Sequence, residues 1–108
     1  TTSDPSEITL VLELVAADFG FNVADLVGRR RRRPLVRARH TAALVLRDAL
    51  ALSFPQIGWA LGGRDHSTAH HSVQVAHGWR LDADAYRERV ARLVGTALSA
   101  WSGPRAEA

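Results

Sequence analysis

Apolar residues recur at helical intervals along nearly the whole chain. In SDPSEITLVLELVAADFG, Ile8, Leu12, Val15 and Phe19 fall three or four apart and so line one face of a helix. Asp4 is placed to cap that helix, Pro5 suits its first position, Glu7 completes a capping-box spacing, and Gly20 ends it. NVADLVG repeats the pattern on a smaller scale, with Asn22 as cap, Asp25 three residues on, and Gly28 as stop. An arginine-rich loop follows. From Pro34 to about Ser53 the spacing predicts a long helix whose buried stripe is Ala42, Ala43, Leu46, Ala49 and Leu50, with Leu35 and Val36 near its start.

FPQIGWAL predicts a short helix with Pro55 at its front and Ile57 and Leu61 inward, and Gly62 and Gly63 a tight turn. Asp65 then caps a helix running to about Gly78, with Ala69, Val73 and Ala76 on its core side. Tyr86, Val90, Leu93, Ala97 and Trp101 mark a last amphipathic helix, and residues 102–108 read as a tail or the start of a linker. Trp59, Trp79 and Trp101 read as core or helix-packing residues. No segment alternates like a strand, so the expected fold is all-α, about six helices in one domain over residues 1–101. The short helix, glycine turn and polar-fronted second helix form a helix-turn-helix candidate.

Composition removes several chemistries. The 108 residues contain no cysteine, which excludes disulfides, thiolate zinc sites and cysteine nucleophiles. No apolar run approaches the roughly 20 residues that cross a bilayer, and no signal peptide is visible, so the expectation is a soluble, cytoplasmic, nucleoid-associated protein with no membrane partner. The formal net charge of +3 understates the local bias, because RRRRRPLVRAR packs Arg29 to Arg33, Arg37 and Arg39 into one short block. Such a block repels itself unless solvent or an anionic partner relieves it, and nucleic acid is the favoured partner.

GGRDHSTAHH carries the remaining chemistry. His66 and His70, four apart, have metal-ligand spacing, but no H-E-x-x-H arrangement or distant ligand cluster accompanies them. Ser67 beside His66 is sequence adjacency, which does not make an activated nucleophile. No catalytic residue, metal or cofactor is therefore expected. A helix N-terminus with small polar side chains suits DNA better. Its free N–H groups favour phosphate; Arg64 can pair a phosphate, Asp65 can accept from cytosine N4, His66 can meet a purine edge, and Ser67 and Thr68 can reach a phosphate or a thymine methyl. The arginine loop can enter the adjacent minor groove, where negative potential is deepest.

FPQIGWALGGRDHSTAHHSV resembles the signature segment of domain four, the DNA-binding domain of the bacterial replication initiator DnaA. The likeness runs from Ile8 through NVADL, the arginine loop and RARHTAALVLRDAL to about Ala76, while the last helix matches in pattern alone. It implies a six-helix bundle similar to the Trp repressor, with the signature helix in the major groove. It further implies base contacts from Asp65, His66 and Ser67, and base or phosphate contacts from Arg64, Thr68 and His71. Arg39 and His40 match duplex-contacting positions, and Arg31 matches the minor-groove arginine. Arg33 and Arg37 join the DNA-contacting set by their place in the basic block. Gln74 and Val75 stand where the family usually has basic residues, and His40 where it more often has glutamine.

No G-x-x-x-x-G-K-S/T phosphate loop occurs, so the initiator's ATPase activity is not expected of this chain. TTSDPSE reads as a natural start and WSGPRAEA as the opening of a linker. That order resembles transcription regulators with a leading DnaA-like domain, such as gene transfer agent activators. The favoured expectation is thus the double-stranded-DNA-binding domain of a transcription regulator, with RNA polymerase or other regulators as partners through regions outside this chain. A DNA-binding piece of a replication initiator is the alternative.

Overall fold

The computed structural model describes the backbone of residues 5–106 and the side chains of residues 5–100. Within that range the helices are α1 (Pro5–Phe19), α2 (Val23–Val27), α3 (Arg33–Leu50), α4 (Phe54–Ala60), α5 (His66–Asp82) and α6 (Asp84–Ala106), with no strand among the described residues. The expected cap Asp4 lies outside them. Asn22 caps α2 as its sequence predicts, since its side chain accepts from Asp25 N–H at 2.9 Å and the Asp25 carboxylate accepts from Asn22 N–H at 3.1 Å. Ser53 and Gln56 form the same reciprocal pair at the front of α4.

α3 is the central helix, packed by α1 on one side and by α5 and α6 on others. That explains why its middle is buried nearly all round. Leu44, Val45, Thr41 and Ala38 join Ala42, Ala43 and Leu46 in the core, whereas Ala49, Leu50 and Val36 are half-buried. Each large aliphatic side chain in such a core stabilises by about 1.5–3 kcal/mol. α1 supplies Val11, Leu12, Val15 and Ala16; α6 supplies Tyr86, Val90, Leu93 and Ala97. Tyr86 is tied to α3 by a buried 2.6 Å hydrogen bond with the Thr41 hydroxyl. Asp18, near the end of α1, binds Arg89 and Arg92 of α6, and the Arg89 guanidinium lies 3.8 Å from the Phe19 ring centroid.

Several helix ends differ from the sequence expectation. α3 stops at Leu50, three residues early, because Ala51 adopts the left-handed conformation (φ 54°) with its N–H bound to Arg47 O at 3.0 Å. Arg47 secures that corner by donating to Leu52 O at 2.7 Å and covering the Phe54 ring. α5 continues past Gly78 to Asp82. A helical glycine costs about 1 kcal/mol relative to alanine, and the rings that Trp79 packs against, His40 and Tyr86, offset it. The backbone of α6 runs to Ala106, through most of the segment expected as tail. Trp59 is corrected outright: it is 70% exposed on α4, not core. Trp101's side chain falls outside the described residues.

α4 and α5 make the helix-turn-helix. Gly58 O accepts from both Gly63 N–H (3.1 Å) and Arg64 N–H (2.9 Å), so the turn folds back directly over α4. A Cβ on Gly58 would sit 2.1 Å from Arg64 O, which makes glycine obligatory there. α5 buries small residues, Ala69, Ser72 and Ala76, and so lies close to α3 with its polar front outside.

Candidate nucleic-acid interface

The front of α5 is built by its cap. Asp65 has extended backbone and its carboxylate accepts from Thr68 N–H at 2.9 Å. That hydrogen bond holds the Asp65 carboxyl below the usual aspartate range, so it stays ionised on the surface at neutral pH. Around it His66, Ser67, Thr68, His70 and His71 are all exposed. His70 turns aside, its ring 4.6 Å from that of Phe54. Among the described residues no three acidic or histidine side chains are grouped as a metal site.

Between this front and the arginine loop lies a cleft of about 580 Å³ lined by Arg29, Arg31, Arg39, Arg64, Asp65 and Thr68, with Val36, His40 and Ser72 among its other walls. A second hollow of about 400 Å³ continues past Arg31 and Arg33 to Arg37, His40 and Trp79. Arg31, Arg33 and Arg37 are exposed. The Arg37 guanidinium lies 4.5 Å from the Trp79 ring centroid and 4.9 Å from that of Tyr86, a double cation–π contact that fixes it at the rim. One concave face therefore carries the loop, the start of α3 and the start of α5.

Two arginines expected to meet the duplex are engaged inside the protein. Arg39 is only 6% exposed. Its Nε donates to Leu26 O (2.8 Å), its Nη2 to Asp25 O and Gly28 O (both 2.9 Å), and its Nη1 to Arg30 O. It ties down the end of α2 and the start of the loop, with four of its five N–H donors on backbone carbonyls, and borders the cleft from within. Desolvation, then the positive charge of Arg64, pushes its pKa below the ordinary arginine value. Arg64 is half-buried and donates to Gly28 O at 2.7 Å and to Leu61 O.

His40 is half-buried as well. Its Nδ1 is enclosed with no hydrogen-bond partner, and its ring sits edge-on to His71 (centroids 6.0 Å apart) and beside Trp79 (5.6 Å). Burial first, then His71 and Arg39, pushes its pKa below the usual 6.5. Because the folded protein resists a proton that the unfolded chain accepts, this residue's contribution is present above about pH 6.5 and lost as pH falls below it. Melting temperature should accordingly drop between about pH 7.5 and about pH 5, and less steeply in His40→Gln. Equal pH profiles for the two proteins would remove His40 as a cause.

Trp79 and Ser72 belong to this face without being expected there. The signal for Trp79 is its two-turn offset from His71 on α5, which places both beside His40. Ser72 gives none, being a small residue that lines the cleft while buried.

The sequence of residues 8–75 matches the family described as the bacterial dnaA protein helix-turn-helix. The chain belongs to that family. It is 48% identical over 64 residues to the chromosomal replication initiator protein DnaA of Thermomicrobium roseum, covering 59% of this chain and 14% of that protein. The DnaA of a Synechococcus strain is 31% identical over 94 residues, 85% of this chain and 20% of its own length. In Geobacter sulfurreducens the match is 40% over 67 residues, 62% of the chain and 15% of the relative. A crystal structure of a DNA replication initiation factor superimposes with a TM-score of 0.78 over 87% of this chain and 29% of its own, at 21% identity, a likeness of fold. The chain thus spans at most one fifth of these DnaA relatives and corresponds to their DNA-binding helix-turn-helix portion. No described helix is long and apolar enough to cross a membrane.

Proposed function

We propose that this DnaA-type domain reads double-stranded DNA across two adjacent grooves. The front of α5 enters the major groove, where Asp65, His66, Ser67 and Thr68 face base edges and phosphates, and His71 lies one turn behind. Arg31, with its neighbours Arg29 and Arg33, enters the minor groove, and Arg37 holds the backbone between. The observation that carries the reading is the continuous arginine-lined cleft joining loop and helix front on one face. Its opposed walls are what a duplex backbone ridge would fill.

Selection on random duplexes should yield a defined site. On that site His66→Ala should lose about 1–3 kcal/mol of specific binding while changing little on random DNA. Replacing Arg29, Arg31, Arg32 and Arg33 by alanine should weaken binding on all sequences, lowering the logarithmic salt slope by about 0.9 for each phosphate no longer neutralised. Preserved affinity in the first variant and an unchanged salt slope in the second would refute the two-groove reading.

We infer a replication-initiation role rather than transcriptional activation. The relatives named above are replication initiators, which is what supports this reading. The regulator expectation rests on how the chain ends read, which carries little weight beside them. Occupancy mapped across the genome should cluster at an origin; peaks confined to promoters would restore the regulator.

A further inference from the structure

The two parts proposed to read DNA are clamped to each other, and Arg64 is the clamp. Gly28 O accepts from Arg64 Nη2 at 2.7 Å and from Arg39 Nη2 at 2.9 Å. Arg39 also holds Arg30 O, inside the loop, while Arg64 holds Leu61 O, at the start of the elbow. At the same junction the backbone is in direct contact, since a Cβ on Gly62 would lie 2.2 Å from Val27 O. The arginine loop therefore begins from a point pinned to the helix-turn-helix elbow. Arg64 is held there against electrostatics: burial and the charges of Arg29 and Arg31 all disfavour its protonated form. A residue meant simply to meet phosphate would gain by staying extended and hydrated. This one spends its donors on two carbonyls that belong to different elements.

We propose that Arg64 is a positioning residue that fixes the register between the minor-groove loop and the major-groove helix, so that the domain accepts one spacing between the two halves of its site. The inference rests on the two-groove reading above and adds to it a rigid spacing. One inserted base pair displaces one half-site by about 3.4 Å along the axis and about 35° around it, which a hinged loop could follow and a clamped one could not.

The test uses the selected site and a duplex with one base pair inserted between the half sensitive to Arg31→Ala and the half sensitive to His66→Ala. The wild-type chain should bind the inserted duplex at least about 30-fold more weakly, the scale of one or two missing base contacts. In Arg64→Ala the parent site should weaken, and the insertion penalty should shrink to about threefold or less. Arg64→Lys keeps a charge but cannot span two carbonyls with a planar fork, so it should behave like the alanine variant. If instead lysine restores wild-type behaviour, or alanine weakens both duplexes equally and lowers the salt slope by about one phosphate's worth, Arg64 is a phosphate ligand and the clamp is refuted. A wild-type chain that tolerates the insertion also refutes it while leaving two-groove binding intact. Failure to select any site overturns both. Thermal melts of each variant separate these outcomes from unfolding, and Arg64→Lys serves if Arg64→Ala does not fold.

Discussion

Gly62→Ala should destabilise the domain by about 3 kcal/mol or more, combining left-handed strain with a steric overlap. Gly62 has φ 92°, and an added Cβ would lie 2.2 Å from Val27 O, a backbone atom that cannot swing aside as a side chain can. Gly63 provides the internal control. Its φ is 80°, but a Cβ placed there would meet nothing within 4 Å, so Gly63→Ala should cost the conformational strain alone, about 1–2 kcal/mol. For a domain of this size each kcal/mol lowers the melting temperature by about 4–8 °C, so the two variants should separate clearly in thermal melts. Equal shifts would mean that α2 and the elbow do not touch.

Arg39→Met should be comparably damaging. Methionine preserves much of the buried stem but removes four donated hydrogen bonds: the carbonyls of Leu26 and Arg30 must find water or go unpaired, while Asp25 O keeps Gly28 N–H and Gly28 O keeps Arg64. Charge-assisted hydrogen bonds contribute about 1.5–3 kcal/mol each when intact, and with water replacing some of them a loss of about 3 kcal/mol is expected. The arginine loop should also loosen locally. Trypsin, which cleaves after arginine except before proline, reports this directly: cutting at Arg29 to Arg32 should accelerate well beyond the change in global stability. Reduced DNA binding with unchanged melting and unchanged cleavage would instead return Arg39 to the duplex-contacting set.

Much of the architecture can be read from spacing and caps. Asn22 and Asp65 lie at helix starts because a short polar side chain followed by free N–H groups is a local arrangement, visible within four residues. Tyr86, Val90, Leu93 and Ala97 follow the same local logic. What spacing does not show is tertiary. The end of α3 is made by a non-glycine residue, Ala51, in a conformation that Arg47 and Phe54 stabilise from around the corner. Gly78 does not break α5 because distant rings hold Trp79 beside it. Trp59 carries an apolar signature yet faces outward, since Ile57 and Leu61 already fill the inner side of a short helix.

The same limit governs the interface. Asp65, His66, Ser67 and Thr68 can be placed together because one helix turn brings them together. Arg39 and Arg64 cannot be told apart from their arginine neighbours by sequence. Whether a guanidinium faces outward or grips a carbonyl is decided by where the end of α2 comes to rest, fourteen residues before Arg39 and thirty-six before Arg64 in their longest-reaching bonds. A dense run of one residue type thus contains two jobs: exposed positive charge, and internal bracing for the segment that carries it.

The Asp18–Arg89 tie joins positions 71 residues apart. As the polypeptide leaves the ribosome, the apolar side of α1 must therefore wait through the synthesis of α2 to α5 before its final neighbour arrives. At about 5–20 residues per second that delay lasts several seconds, during which α2 and α3 are the neighbours able to shelter it. Translation order thus gives the first and third helices an early partnership, and the last helix closes a structure already begun.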